Sequence, residues 1–221
     1  MKKIKIILWL MIGGVILMTA SVLNGCSLGG ETIPKNRTKE QYEFEKTFEP
    51  MFKFLEQDKK DFNGLEAYRS RVYIENGAEV KRYLVDLDIT QSDIKGDYTI
   101  NIEGNKETVP VTYSNGKLNY SSEITPLFDD EILNLVVKRD YFTSLGVKET
   151  FKSAETDLRD IIYQPDSQSE LNKYLKNKYD MPEDTNCRIR LDCASGTIYG
   201  FSILMESKNK SVQIDLSIFK Q

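Results

Sequence analysis

Two stretches of helical period, each opened by a capping box, and a long succession of period-two alternations predict an α+β fold in which an antiparallel β-sheet packs against two or more helices. A lysine-led apolar run that ends at a cysteine places an export segment and a flexible tether ahead of that domain. The boundaries that follow are residues 1–25 for the export segment, 26–37 for the cysteine and tether, and 38–221 for one α+β domain.

The export segment comes first in the chain. Lys2, Lys3 and Lys5 precede Ile6 to Leu23, a run dominated by Ile, Leu, Met and Val, and no charged residue follows Lys5 until Glu31. A basic start, an apolar middle and a small-residue end are the three parts of a secretory signal. Within LNGCSLGG (23–30), Leu23, Gly25 and Cys26 resemble a bacterial lipobox, whose cysteine thiol receives a diacylglycerol before the chain is cleaved in front of it. Asn24 departs from the Ala or Ser usual at that position. The run is also long enough for an uncleaved membrane span, which needs about 17–25 apolar residues. Either outcome leaves the rest of the chain outside the cytoplasm and held on the cell membrane. From Ser27 to Arg37, Gly, Ser, Asn and Pro recur without apolar period, which is the composition of a tether.

Thr38-Lys39-Glu40-Gln41 fits a capping box, and Phe44, Phe48, Met51, Phe52 and Leu55 recur at helical spacing, so a helix is expected over about 39–58. Pro50 lies inside it and predicts a kink or a break into two shorter helices. The period then changes to two through 71–75, 80–90, 98–102 and 109–113, and Ser114-Asn115-Gly116-Lys117 is a two-residue hairpin signal leading into Leu118-Asn119-Tyr120. Residues 128–137 read as a short helix or a helix-to-strand segment. Ser167-Gln168-Ser169-Glu170 is a second capping box, followed by Leu171, Tyr174, Leu175 and Tyr179 at helical spacing and stopped by Met181-Pro182. Three closing strands are expected at 187–193, 197–206 and 211–219.

Composition narrows the chemistry. The 221 residues contain no histidine, which excludes Ser-His-Asp and Cys-His arrangements, imidazole zinc ligands and a histidine proton relay. Removing the three lysines of the export segment from 30 Lys+Arg, against 34 Asp+Glu, leaves the exported part at −7, a poor match for nucleic acid. The acidic residues Asp129, Asp130 and Glu131 sit where they favour a helix N-terminus. Asp86, Asp88 and Asp93 alternate along a strand with one wet face, and none of these groups has EF-hand spacing. In NCRIRLDC, Cys187, Ile189, Leu191 and Cys193 alternate with Arg188, Arg190 and Asp192, so both thiols belong on the apolar face of one strand. Six residues of extended chain separate them by about 20 Å, too far for the under about 7 Å that a disulfide tolerates between Cα atoms. No metal or cofactor is expected.

Several stretches in order resemble the staphylococcal tandem lipoproteins, paralogous surface lipoproteins of Gram-positive bacteria: Cys26, FEKTFEPMFKFLEQDKKDFNGLEAYRS (44–70), KGDYTI (95–100), VPVTYSNGKL (109–118), LFDDEILNLVV (127–137) and LKNKYDMP (175–182), followed by the terminal strands. KGDYTI replaces a more aromatic strand, and the Ala-Ser-Gly turn a longer one. The resemblance implies a non-enzymatic lipoprotein anchored in the cell membrane through lipid (palmitate) on Cys26, with a host or other extracellular protein as its partner. Cys26 is the one functional position it transfers. The alternative expectation is a membrane-anchored immunity lipoprotein that neutralises a secreted antibacterial toxin, a role that an acidic surface without a catalytic constellation also suits.

Overall fold

Alternation of apolar and polar residues is realised as a single sheet. The computed structural model describes residues 33–89, 93–123 and 136–221. Among these, ten strands pair antiparallel: β1 (Leu65–Asn76), β2 (Glu79–Asp88), β3 (Ile94–Ile102), β4 (Asn105–Ser114), β5 (Lys117–Tyr120), β6 (Gly146–Lys152), β7 (Arg159–Gln164), β8 (Asn186–Ala194), β9 (Ile198–Glu206) and β10 (Lys210–Lys220). Their order across the sheet is β5-β4-β3-β2-β1-β10-β9-β8-β7-β6. Two five-stranded meanders therefore stand side by side, joined where β1 pairs with β10 from Leu65↔Lys220 to Asn76↔Lys210.

Turn chemistry sets the hairpins. Asn115 (φ 54°) and Gly116 (φ 82°) both take left-handed backbone between β4 and β5, the type I′ geometry that matches strand twist and that Asn-Gly favours. Gly96 of β3 answers a different demand. It faces Leu87 of β2 and Val111 of β4, and a Cβ there would run into the backbone carbonyl of Asp86.

Among the described residues, four helices place buried side chains against one face of the sheet. α1 (Lys39–Glu45) begins at Thr38, whose hydroxyl accepts from Gln41 N–H at 3.1 Å while the Gln41 side chain accepts from Thr38 N–H at 3.0 Å. A 3-10 turn (Lys46–Phe48) then leads into α2 (Glu49–Leu55), with Pro50 in its first turn. The expected break is thus present, and the helical stretch ends at Leu55 rather than near 58. α3 (Arg139–Ser144) and α4 (Glu170–Lys178) follow. The cap of α4 is Ser169, which accepts from Asn172 N–H at 3.3 Å, not Ser167 as the spacing suggests. Asp166 holds Ser167-Gln168 in the preceding turn by accepting from Gln168 N–H at 2.7 Å. Of the expected segment 128–137, residues 128–135 lie outside the described residues. Val136 and Val137 are neither helix nor strand, and Val137 N–H donates to the Leu55 carbonyl at 3.1 Å.

The core is aromatic where helix meets sheet. Phe54 lies 5.7 Å from Tyr68 of β1, and Phe142 of α3 lies 4.9 Å from Phe52, 5.6 Å from Tyr163 of β7 and 6.3 Å from Phe201 of β9. Offset and edge-to-face contacts of this kind are worth about 0.5–1.5 kcal/mol each beyond their area.

Residues 33–37, expected to be part of a tether, are docked on the domain. Arg37 is buried, with Nε donating to Glu45 Oε1 at 2.8 Å and its terminal nitrogens to the carbonyls of Leu145 (2.6 Å) and Phe142 (2.7 Å). Asn36 adds a bond to the Thr143 carbonyl at 2.8 Å. Arg37 supplies both the countercharge of a buried carboxylate and the C-terminal cap of α3.

Two stability outcomes follow. Gly96→Ala meets backbone, whereas Gly200→Ala meets only the side-chain carboxylate of Asp192, which can turn away. The first should destabilise the chain by about 3 kcal/mol and the second by clearly less, as read from urea unfolding. Arg37→Met leaves the buried Glu45 without its cation, a loss of about 3–5 kcal/mol. Arg37→Met/Glu45→Met should cost less than the single change, which would not be so if Arg37 acted only through packing.

Candidate functional site

Cys26 lies outside the described residues, as do Asp129, Asp130 and Glu131. The remaining sequence candidates are dispersed. Asp86 accepts from Arg69 at 2.6 Å and Asp93 pairs with Lys95 at 3.1 Å. Asp88 stands across from Ala67 and Lys95 in the ladder. No cluster of three or more His, Cys, Asp or Glu suited to a metal ion occurs among the described residues.

Both cysteines of β8 point into the core, opposite Met205 and Tyr199 of β9, and both are free thiols. Burial pushes Cys187 up to about 12 against the opposing charge of Lys176, and burial raises Cys193 as well. A thiol held protonated and out of solvent is neither a nucleophile nor a metal ligand.

Lys60 has the features of a reactive lysine but not its freedom. It borders a cleft of ≈ 390 Å³ with Phe62, Ile89, Ile94 and Tyr113, and burial lowers its pKa to about 8, with Asp58 opposing. Its ammonium donates to the carbonyls of Phe54 (3.0 Å), Leu55 (3.3 Å) and Gln57 (3.0 Å) and sits 5.2 Å from the Phe54 ring. Those bonds take up all three protons, so Lys60 ends α2 rather than presenting a nucleophile.

The face of the sheet away from the helices carries an array of paired charges. Arg69 and Arg71 of β1 alternate with core residues and reach sideways, Arg69 to Asp86 of β2 and Arg71 to Asp215 of β10, with Nε at 2.9 Å and a terminal nitrogen at 2.5 Å from the same Asp215 oxygen. Arg190 meets Asp160 at 2.9 Å, and Arg188 meets Glu206. Gln213 donates to both Asp215 oxygens, at 2.8 and 3.1 Å. Beside it Arg82 of β2 lies over the Tyr73 ring at 5.3 Å. Arg71, Tyr73, Arg82 and Gln213 line a shallow depression of ≈ 360 Å³ at the middle of this face. Guanidinium groups held in this way can donate to oxyanions and other polar acceptors. Sequence reasoning overlooked these four residues. The available signal was arginine at alternate positions of a strand, a spacing that puts successive cations on one wet face.

No protein-family model and no curated protein matches the sequence. Among solved structures, an N-terminal dehydratase from the difficidin assembly line is similar at 6% identity, over 79% of this chain and 85% of that one, with a TM-score of 0.19.

The thiols give a pH test of this arrangement. An unfolded Cys187 titrates near 9 and the folded one near 12, so across that window the unfolded chain has released a proton that the folded chain keeps. Its contribution to stability is constant below 9 and declines as pH rises above it, by up to about 1.4 kcal/mol per unit. The gap in unfolding free energy between wild type and Cys187→Ala should therefore be flat below pH 9 and shrink above it, and a gap that stays constant would show the thiol to be solvated. The same burial predicts slow reaction of both thiols with a thiol reagent until the chain is denatured.

Proposed function

We propose that the chain is a non-enzymatic lipoprotein, held on the outer face of the cell membrane by lipid on Cys26, whose open sheet face binds an extracellular protein. One observation carries the reading: Cys26 stands at the end of an apolar run of Ile6 to Leu23, in a Leu-Asn-Gly-Cys context, behind three lysines. The ordered resemblance to tandem lipoproteins supports the same conclusion. A face of arginines held in fixed positions by Asp215, Asp86 and Tyr73 suits recognition, because side chains ordered before binding lose less entropy on contact. Histidine-free chemistry fits binding better than turnover.

Metabolic labelling with palmitate tests the anchor. The wild-type chain should carry label and fractionate with membranes, whereas Cys26→Ala should lose the label and retain its full-length export segment. Label on the variant would overturn the lipoprotein assignment.

A further inference from the structure

The geometry points to an oxyanion subsite at the centre of the open face, in which Arg82 and Arg71 receive the carboxylates of an extended acidic peptide segment. The inference deepens the binding reading above and rests on it for the extracellular setting. Five arginines project from this face, and four of them meet carboxylates: Arg69 with Asp86, Arg71 with Asp215, Arg188 with Glu206 and Arg190 with Asp160. Arg82 is the exception among the described residues. Its guanidinium rests on the Tyr73 ring at 5.3 Å, a position that stabilises the cation while leaving its in-plane N–H groups for an oxyanion. Tyr73 is itself steadied by cross-strand neighbours on both sides, Arg82 on β2 and Gln213 on β10, and its hydroxyl reaches Glu75 at 3.5 Å.

Arg71 completes the subsite. Nε and one terminal nitrogen are taken by Asp215, which is only 15% exposed, while the Arg71 side chain is 52% exposed and its other terminal nitrogen has no partner among the described residues. Asp215 is fixed in turn by Gln213. Arg71 is thus aimed rather than silenced. Because Arg71 stands opposite Leu84, Arg82 is its diagonal neighbour on the adjacent strand, at a separation of about 7–8 Å. Alternate side chains of an extended peptide repeat at about 6.6 Å. Carboxylates at alternate positions of one such segment therefore fall on the two guanidinium groups, and a charged pair of this type is the strong form of hydrogen bond. The three strands that carry these residues form the middle of the sheet, where backbone positions are most firmly held.

The test uses the full chain in detergent and a labelled oligoglutamate peptide, with oligoglutamine and inorganic phosphate as comparisons, read by fluorescence anisotropy. Saturable oligoglutamate binding that weakens with added salt is expected, with no binding of oligoglutamine. Arg82→Gln should weaken it about tenfold at an unchanged unfolding midpoint, and Arg188→Gln, on the same face but outside the depression, should not. Absence of saturable binding by the wild type, an equal loss in Arg188→Gln, or tighter binding of phosphate than of oligoglutamate overturns the proposal. Palmitate labelling of Cys26 is read separately. Labelled protein that ignores the peptide loses this subsite alone, and unlabelled protein that binds it loses the anchor alone.

Discussion

Pairing of the first strand with the last is the constraint on which the rest of the structure depends. β1 and β10 occupy the middle of the sheet, so neither meander is complete without the other. On the core side of this seam Val72 faces Ile214 and Tyr68 faces Ile218. On the open side Arg71 faces Asp215, 144 residues away in sequence. Closing so long a loop costs entropy before any contact rewards it. The seam therefore has to be long, and its apolar row and its charged row both specify one register, since a slip of one residue would bury Arg71 and expose Tyr68.

The helices depend on the sheet in a particular way. Each has 6–9 residues, below the length at which a helix holds in water by itself. Three of them end on a cation brought from elsewhere: Lys60 on the last carbonyls of α2, Arg37 on those of α3, and Lys210 of β10 on the carbonyls of Tyr179 and Asp180 just past α4, at 2.6 and 3.1 Å. Cations there satisfy orphaned acceptors and complement the helix dipole. This explains why a segment with the composition of a tether is docked as far upstream as Asn36, and why Lys60 keeps its charge at neutral pH in a buried place. The caps also tie helix ends to the sheet, so the aromatic layer of Phe52, Phe54 and Phe142 is clamped from both sides.

Much of this was legible in the sequence because the signals are local. Asn115-Gly116 specifies its turn, Thr38 to Gln41 its cap, and the alternation from Cys187 to Cys193 the buried face of a strand. β6 was missed because an edge strand has no face to bury: Gly146–Lys152 is polar and almost wholly exposed. β7 has six residues and α3 six, too few for a period to stand out. The capping role of Arg37 and the assembly of the depression around Arg82, beyond the arginine alternation of β1, were missed for another reason. Each exists only once strands distant in sequence are neighbours, and an arginine among polar residues reads as solvated until its partner is in place.

The edges of the sheet narrow where a partner can dock. A free strand edge is a template for another chain unless it is short, charged or bulged. β5 has four residues, so one edge offers little ladder. β6 carries Lys148, Glu149 and Lys152 and is bulged between Val147 and Glu149, which twists its backbone groups out of line for strand addition. The helices fill the core face. What remains among the described residues is the open face, where cross-strand ion pairs hold the arginines in rows and Arg82 rests on the Tyr73 ring in place of a carboxylate. The recognition proposed above therefore rests on side chains across strands rather than on backbone added at an edge.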